Sequence, residues 1–84
     1  NWYVYIVQCC DNSLYTGITN NVESRVCQHN TGNGAKYTRS RCPVTLVYRE
    51  SSENRSEALR REIQIKKMTP KQKRDLVAAK QQNS

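Results

Sequence analysis

The first run of the chain is apolar on both of its alternating sets, with Trp2, Val4 and Ile6 on one and Tyr3, Tyr5 and Val7 on the other. A strand with no polar side is one covered on both faces, so Trp2 to Cys9 is predicted as the central strand of a sheet. Leu14 to Thr19 follows as its hairpin partner, rich in β-formers and separated from the first run by Asp11-Asn12-Ser13. Side chains alternate with a period of two, so the loop decides the faces. A three-residue loop from Asp11 to Ser13 puts Tyr5 and Tyr15 on one face, whereas a two-residue loop at Asp11-Asn12 puts them on opposite faces. Gly17 inside the second run marks a bulge or a close approach by another group.

The pattern then changes to helical. Asn20 is the predicted N-cap of a helix reaching about Asn30, with Glu23 three positions on in a variant of the capping box, and Val22 and Val26 form its buried stripe. Arg25 and His29 are spaced i and i+4 on one flank of that stripe. Thr31 to Gly34 offers two glycines to end the helix. The segment from Ala35 to Cys42 is polar and basic and has no helical period. Val44 to Tyr48 reads as a third strand ending at Arg49-Glu50. Ser51 to Asn54 supplies caps for a helix to about Met68, with Ala58, Leu59, Ile63 and Ile65 in an apolar arc that also contains Glu62. Thr69 as N-cap, Pro70 in the first turn and Gln72 three after the cap begin a last helix to about Lys80, with Leu76 and Val77 turned inward. The expectation is an α+β fold, a three-stranded antiparallel sheet flanked by helices in the order β-β-α-β-α-α. It forms one domain over residues 1–80 with a frayed tail at 81–84.

Composition narrows the partner. The net charge is +7, and it is uneven: residues 1–24 hold two acids and no Lys or Arg, residues 25–54 five basic and two acidic groups, and residues 55–84 nine and three. Cations concentrated on later elements suit a polyanion, either nucleic acid or an anionic membrane surface, or else form a solvated helical surface. No apolar run approaches the ~20 residues of a membrane span. The four cysteines show neither C-x-x-C nor zinc spacing, so reduced thiols and a cytoplasmic location are expected.

Several positions carry candidate chemistry. His29 beside an apolar face is read as a structural or surface residue, or as a catalyst. Glu62 in an apolar arc requires a partner, either Lys66 at i+4 or a metal ion. Lys36, Tyr37, Arg39 and Arg41 suit a phosphate-contacting loop, or an ordinary exposed one.

Tyr3-Val4-Tyr5, Tyr15-Thr16-Gly17, Arg25, His29 and Glu62 resemble, in order and spacing, the GIY-YIG nuclease domain, and most closely its small stand-alone bacterial (YhbQ/YazA-like) members. The resemblance covers residues 2 to about 78 and includes the Gly34-Ala35-Lys36-Tyr37-Thr38 segment. Tyr3 and Val4 depart from the first tripeptide, and Ile18 stands where some members carry lysine. The resemblance implies a metal-dependent endonuclease acting on nucleic acid, DNA in the first instance. Tyr5, Tyr15, Arg25 and His29 would be catalytic, Glu62 the ligand of one divalent cation, Mg²⁺ (or Mn²⁺), and Gly17 a motif glycine. Lys36, Tyr37, Arg39, Arg41 and Lys66 would contact nucleic acid, and a protein partner would supply specificity. Either Tyr15 or His29 would be the general base. The alternative is a non-catalytic nucleic-acid-binding module on the same fold.

Overall fold

The computed structural model describes residues 1–32, 41 and 43–82, with side chains through residue 79. Its elements are β1 (Trp2–Gln8), β2 (Leu14–Thr19), α1 (Val22–Asn30), β3 (Thr45–Ser52), α2 (Arg55–Lys66) and α3 (Pro70–Gln82). The sheet is antiparallel with order β2-β1-β3, so the strand apolar on both sides is the central one. One face carries Val4, Ile6 and Tyr48 against Ala58 and Ile65 of α2, with Leu76 and Val77 of α3 beside them. The other carries Tyr5, Val7 and Val44, with Val26 of α1 packed on them. Burying both faces of β1 removes all its apolar side chains between Val4 and Val7 from water, which is the main hydrophobic stabilisation of so short a chain.

The hairpin closes one residue earlier than expected. Cys9 N–H donates to Ser13 O at 2.8 Å and Asn12 N–H to Cys9 O at 2.9 Å, so the three-residue loop is Cys10 to Asn12. Asn12 takes the left-handed conformation (φ 70°) that ends such a loop, and the Asp11 carboxylate accepts from Ser13 N–H at 3.1 Å. The loop is still odd in length. Tyr5 therefore pairs with Gly17 and Val7 with Tyr15, and the two tyrosines share a face.

Other boundaries also move. The N-cap of α1 is Asn21, not Asn20, because the Thr19 hydroxyl takes Asn21 N–H (3.0 Å) and turns the chain one residue further before Asn21 Oδ1 caps Ser24 N–H (3.1 Å). Glu23 consequently completes no capping box and pairs with Arg49 at 3.0 Å. β3 runs on to Ser52 and contains an irregularity: Ile6 pairs with Tyr48 but Val7 with Leu46, leaving Val47 as an extra residue. The bulge switches the alternation, so Leu46 faces Tyr5 while Val47 and Tyr48 face α2. Ile63 is 51% exposed, not part of the buried arc, because α2 turns Arg61 inward to Glu50 (Nε to Oε1 3.1 Å, to Oε2 3.2 Å). The capping box of α3 forms as expected, with Thr69 N–H on Gln72 Oε1 (2.9 Å) and Gln72 N–H on Thr69 Oγ1 (3.2 Å), and the helix continues to Gln82.

Candidate active site

The site is built on the face of the hairpin that α1 covers. Tyr5 lies opposite Gly17, and its ring crosses the glycine so closely that a Cβ there would sit 2.6 Å from the Tyr5 hydroxyl and 2.8 Å from Cζ. Only a residue without a side chain leaves that path open. The ring then projects toward α1. Tyr5 Oη is 2.9 Å from His29 Nε2, and Arg25 Nε–H reaches the same oxygen at a longer 3.4 Å. Tyr15, two residues before Gly17, meets the His29 ring edge-on with centroids 5.5 Å apart.

One turn of helix separates Arg25 from His29, so both address Tyr5 from the same side. Arg25 is further held by Gln28, whose Oε1 accepts from Nη1 at 2.9 Å. His29 is fully buried and Tyr5 almost so. Burial holds the imidazole below its ordinary pKa of 6.5, and the Arg25 charge acts in the same direction, so the ring is neutral at pH 7. Burial likewise raises the Tyr5 hydroxyl above 10.0; Arg25 opposes this, and the charges of Tyr15 and Glu62 add to it.

Glu62 arrives from the opposite side of the sheet. Ala58 and Ile65 fix α2 against Val4 and Ile6, and Glu62, one turn after Ala58, flanks that contact with its side chain 16% exposed. Lys66 Nζ lies 3.5 Å from Glu62 Oε2 and 6.0 Å from the centroid of the Tyr15 ring. The expected i, i+4 pair is therefore present, and the same ammonium connects Glu62 to Tyr15. Tyr5, Tyr15, Arg25, His29, Glu62 and Lys66 thus form one linked group. Among the described residues no three of the His, Cys, Asp and Glu side chains cluster as a metal cage. Glu62 is the one carboxylate of this group, and a single carboxylate fits the chemistry of Mg²⁺, an ion that keeps waters and takes one or two carboxylates plus substrate phosphate.

Arg41 lies at the hairpin tip, where Nε pairs with Asp11 Oδ2 at 3.0 Å and its carbonyl accepts from Cys10 N–H at 3.0 Å. Lys36, Tyr37 and Arg39 lie outside the described residues. Two polar residues of the neighbourhood escaped the sequence reading. Gln28 stands at i+3 from Arg25, a spacing that could have revealed it. Asn30 clamps the backbone of Val44 from both sides, donating to its carbonyl (3.2 Å) and accepting from its N–H (2.6 Å), and no local pattern announces a contact fourteen residues away. Cys9, Cys10 and Cys27 are free thiols, and Cys42 lies outside the described residues. No helix among the described residues is long and apolar enough to cross a membrane.

Comparison with known proteins bears on the family and the fold. The profile of the GIY-YIG catalytic domain matches residues 1–75. A UPF0213 protein of Desulfotalea psychrophila is 58% identical over 79 residues, covering 93% of this chain and 72% of the relative, and one of Staphylococcus haemolyticus is 57% identical over 75 residues, covering 89% and 92%. The solution NMR structure of a UPF0213 protein from Bacillus halodurans superposes with a TM-score of 0.62 at 43% identity, over 94% of this chain and 84% of that one.

Proposed function

The chain belongs to the GIY-YIG catalytic domain family, and from that premise we propose that it is a metal-dependent endonuclease hydrolysing phosphodiester bonds in nucleic acid, DNA in the first instance. The observation that carries the reading is the convergence of Arg25 and His29 on the Tyr5 hydroxyl, with Tyr15 against His29.

In this reading Arg25, anchored through Nε and Nη1, turns its remaining donors to the non-bridging oxygens of the scissile phosphate, where charge builds during attack. Tyr15 orients the attacking water. A tyrosine with a raised pKa is a poor base on its own, yet Tyr5 is hydrogen-bonded to a neutral imidazole. Oη is buried in the free protein, so the relay operates once substrate binding brings the attacking water against it: water gives its proton to Oη as Tyr5 passes its own to His29 Nε2, and no phenolate need exist at rest. Glu62 would hold one divalent cation, Mg²⁺ (or Mn²⁺), whose charge, when bound, would offset that of the phosphate. Lys66 would then be released from Glu62 toward the nucleic acid backbone.

The test is incubation with duplex, branched and single-stranded DNA and with RNA, in Mg²⁺, in Mn²⁺ and in EDTA, using the wild type, Glu62→Ala and Tyr15→Phe. Metal-dependent cutting that is lost in Glu62→Ala and falls at least a hundredfold in Tyr15→Phe is the expected result. Binding by all three proteins with no cutting of any substrate overturns it in favour of the non-catalytic module.

A further inference from the structure

We propose that the groove running from Arg25 to Trp2 along the open edge of β2 is a subsite for one unstacked nucleobase, next to the phosphate that Arg25 holds. It measures about 290 Å³ and is lined by Trp2, Ile18, Asn20, Ser24, Arg25 and Gln28 among others. One wall is apolar, the Trp2 indole with Ile18. The other carries small neutral donors and acceptors, the Asn20 and Gln28 amides and the Ser24 hydroxyl. A nucleobase has the matching chemistry, with π-faces that stack on an aromatic or apolar wall and edges that exchange hydrogen bonds with amides.

Charge and the presence of an aromatic wall together distinguish this groove: a groove of about 230 Å³ between β1, β3 and α3 also carries a single charge, Arg74, but no aromatic residue. Arg25 is the one charged residue among those lining it. A larger depression of about 730 Å³ at the start of α2 is lined by Glu50, Glu53 and Glu57 beside Arg60 and Arg61, and a phosphodiester entering it would meet three carboxylates. A groove of about 310 Å³ between the hairpin tip and α3 holds Lys73 and Arg74 but no aromatic residue, which suits backbone phosphate and not a base. The Trp2 groove also shares Arg25 with the Tyr5 site, so its ligand is continuous with the strand being cut. At the lower end of the ~300–1,000 Å³ usual for small-ligand pockets, it has room for one nucleoside and not for stacked pairs. Asn20 makes no hydrogen bond to any described residue, which leaves both edges of its amide available.

The subsite rests on the nuclease reading for its phosphate but is tested without cutting. Trp2 is the sole tryptophan, so indole emission comes from this wall of the groove, and Arg55→Gln, which removes the guanidinium lying 5.9 Å over the same ring, should leave the quenching in place. In EDTA, the full chain is titrated with an end-labelled octamer of deoxyadenosine and with an all-abasic octamer of equal phosphate count. Label anisotropy follows binding and Trp2 emission follows stacking. Both strands should bind, the base-bearing one at least fivefold tighter, and only it should quench Trp2. Ser24→Leu, which fills the groove from an exposed helix position, should remove the quenching and the fivefold preference, and Asn20→Ala should reduce the preference. Equal quenching by the two strands, or binding of deoxyadenosine with Trp2 emission unchanged, overturns the subsite even if metal-dependent cutting is found. If neither strand binds, the subsite is overturned as well. Loss of cutting alone, with quenching intact, bears on the nuclease reading and leaves the subsite standing.

Discussion

The Tyr5 hydroxyl and His29 Nε2 lie 2.9 Å apart, joined across 24 residues of sequence and both withdrawn from water. Because Arg25 donates to the same oxygen, the buried Tyr5 O–H needs an acceptor, and the imidazole nitrogen supplies it. The pair therefore demands a neutral His29 protonated at Nδ1. This is the only histidine in the chain, so its ring protons can be followed singly by NMR. The midpoint is expected below 6.5, with the Nδ1–H tautomer above it; a midpoint at or above 6.5 would contradict the burial argument.

The same depression has a consequence for stability. Where the folded pKa lies below the unfolded one, the unfolded chain binds more protons in the interval between them, so stability rises with pH across it. The contribution from His29 is complete above about 6.5 and is lost as pH falls through the folded value. Urea unfolding between pH 7.5 and 5 should show this slope, and His29→Gln should flatten it. Cleavage, which in the proposed relay needs neutral His29, should fall over the same acidic range.

Gly17 is expected to be intolerant of the smallest substitution. Its backbone does not require a positive φ; the constraint is the Tyr5 ring across it, 2.6 Å from where a Cβ would stand. The central strand has no slack, with Val7 fully buried beside that ring and Val4 and Ile6 fully buried on the opposite face of the sheet. Gly17→Ala should cost about 1–3 kcal/mol, the usual range for overpacking, and should displace Tyr5 from His29. In a Tyr5→Ala background most of that cost should vanish. Additive losses in urea unfolding would mean that the contact is not the cause.

Lys66 holds Glu62 at 3.5 Å from a half-exposed position, and an exposed i, i+4 pair is worth only ~0.3–0.5 kcal/mol. Lys66→Met should therefore leave the unfolding midpoint nearly unchanged. It should also tighten Mn²⁺ binding to the free protein severalfold, because the ammonium competes with the cation for the same carboxylate. Calorimetry showing weaker or equal Mn²⁺ binding would argue against Glu62 as the ligand.

Features decided by neighbours in sequence were legible before the structure was known. The reciprocal Thr69–Gln72 cap, the Asn54 cap on Glu57 N–H and the doubly covered first strand all follow from local chemistry. The tyrosine pairing was legible as a parity, and it survived a one-residue error in the loop because Cys10 to Asn12 is also odd in length. Less accessible were features that depend on a distant partner. The alternation of β3 reverses at Val47 only because β1 imposes its register, and nothing in Val44 to Tyr48 marks the bulge. The helical wheel placed Ile63 inward, but the pull of Glu50 on Arg61 turns that face outward. His29 was visible on the flank of the Val22 and Val26 stripe. Its complete burial required Tyr5 and Tyr15 to be brought over it by the hairpin.

The cluster of Tyr48, Glu50 and Arg61 lies on the α2 face of the sheet, away from Tyr5, and it shares α2 with Glu62, whose carboxylate pairs instead with Lys66. Tyr48 O–H donates to Glu50, and Arg61 Nε bonds both oxygens of the same carboxylate. The groups are only partly exposed, Arg61 at 31% and Glu50 at 27%, so removing the carboxylate leaves a guanidinium and a phenol poorly solvated. Glu50→Ala should destabilise by about 2 kcal/mol, within the ~1–3 kcal/mol range for orphaning buried polar partners, and Glu50→Gln by about half as much because its amide oxygen still accepts. Neither change touches Tyr5, Arg25 or Glu62. Binding of Mn²⁺ and quenching of Trp2 by the deoxyadenosine octamer, measured well below the unfolding midpoint, should therefore match the wild type per folded molecule. A Glu50→Ala protein that is as stable as wild type would show that the carboxylate is not what holds Arg61 and Tyr48, and one that is fully folded yet has lost Mn²⁺ binding would show that this cluster and Glu62 are coupled through α2.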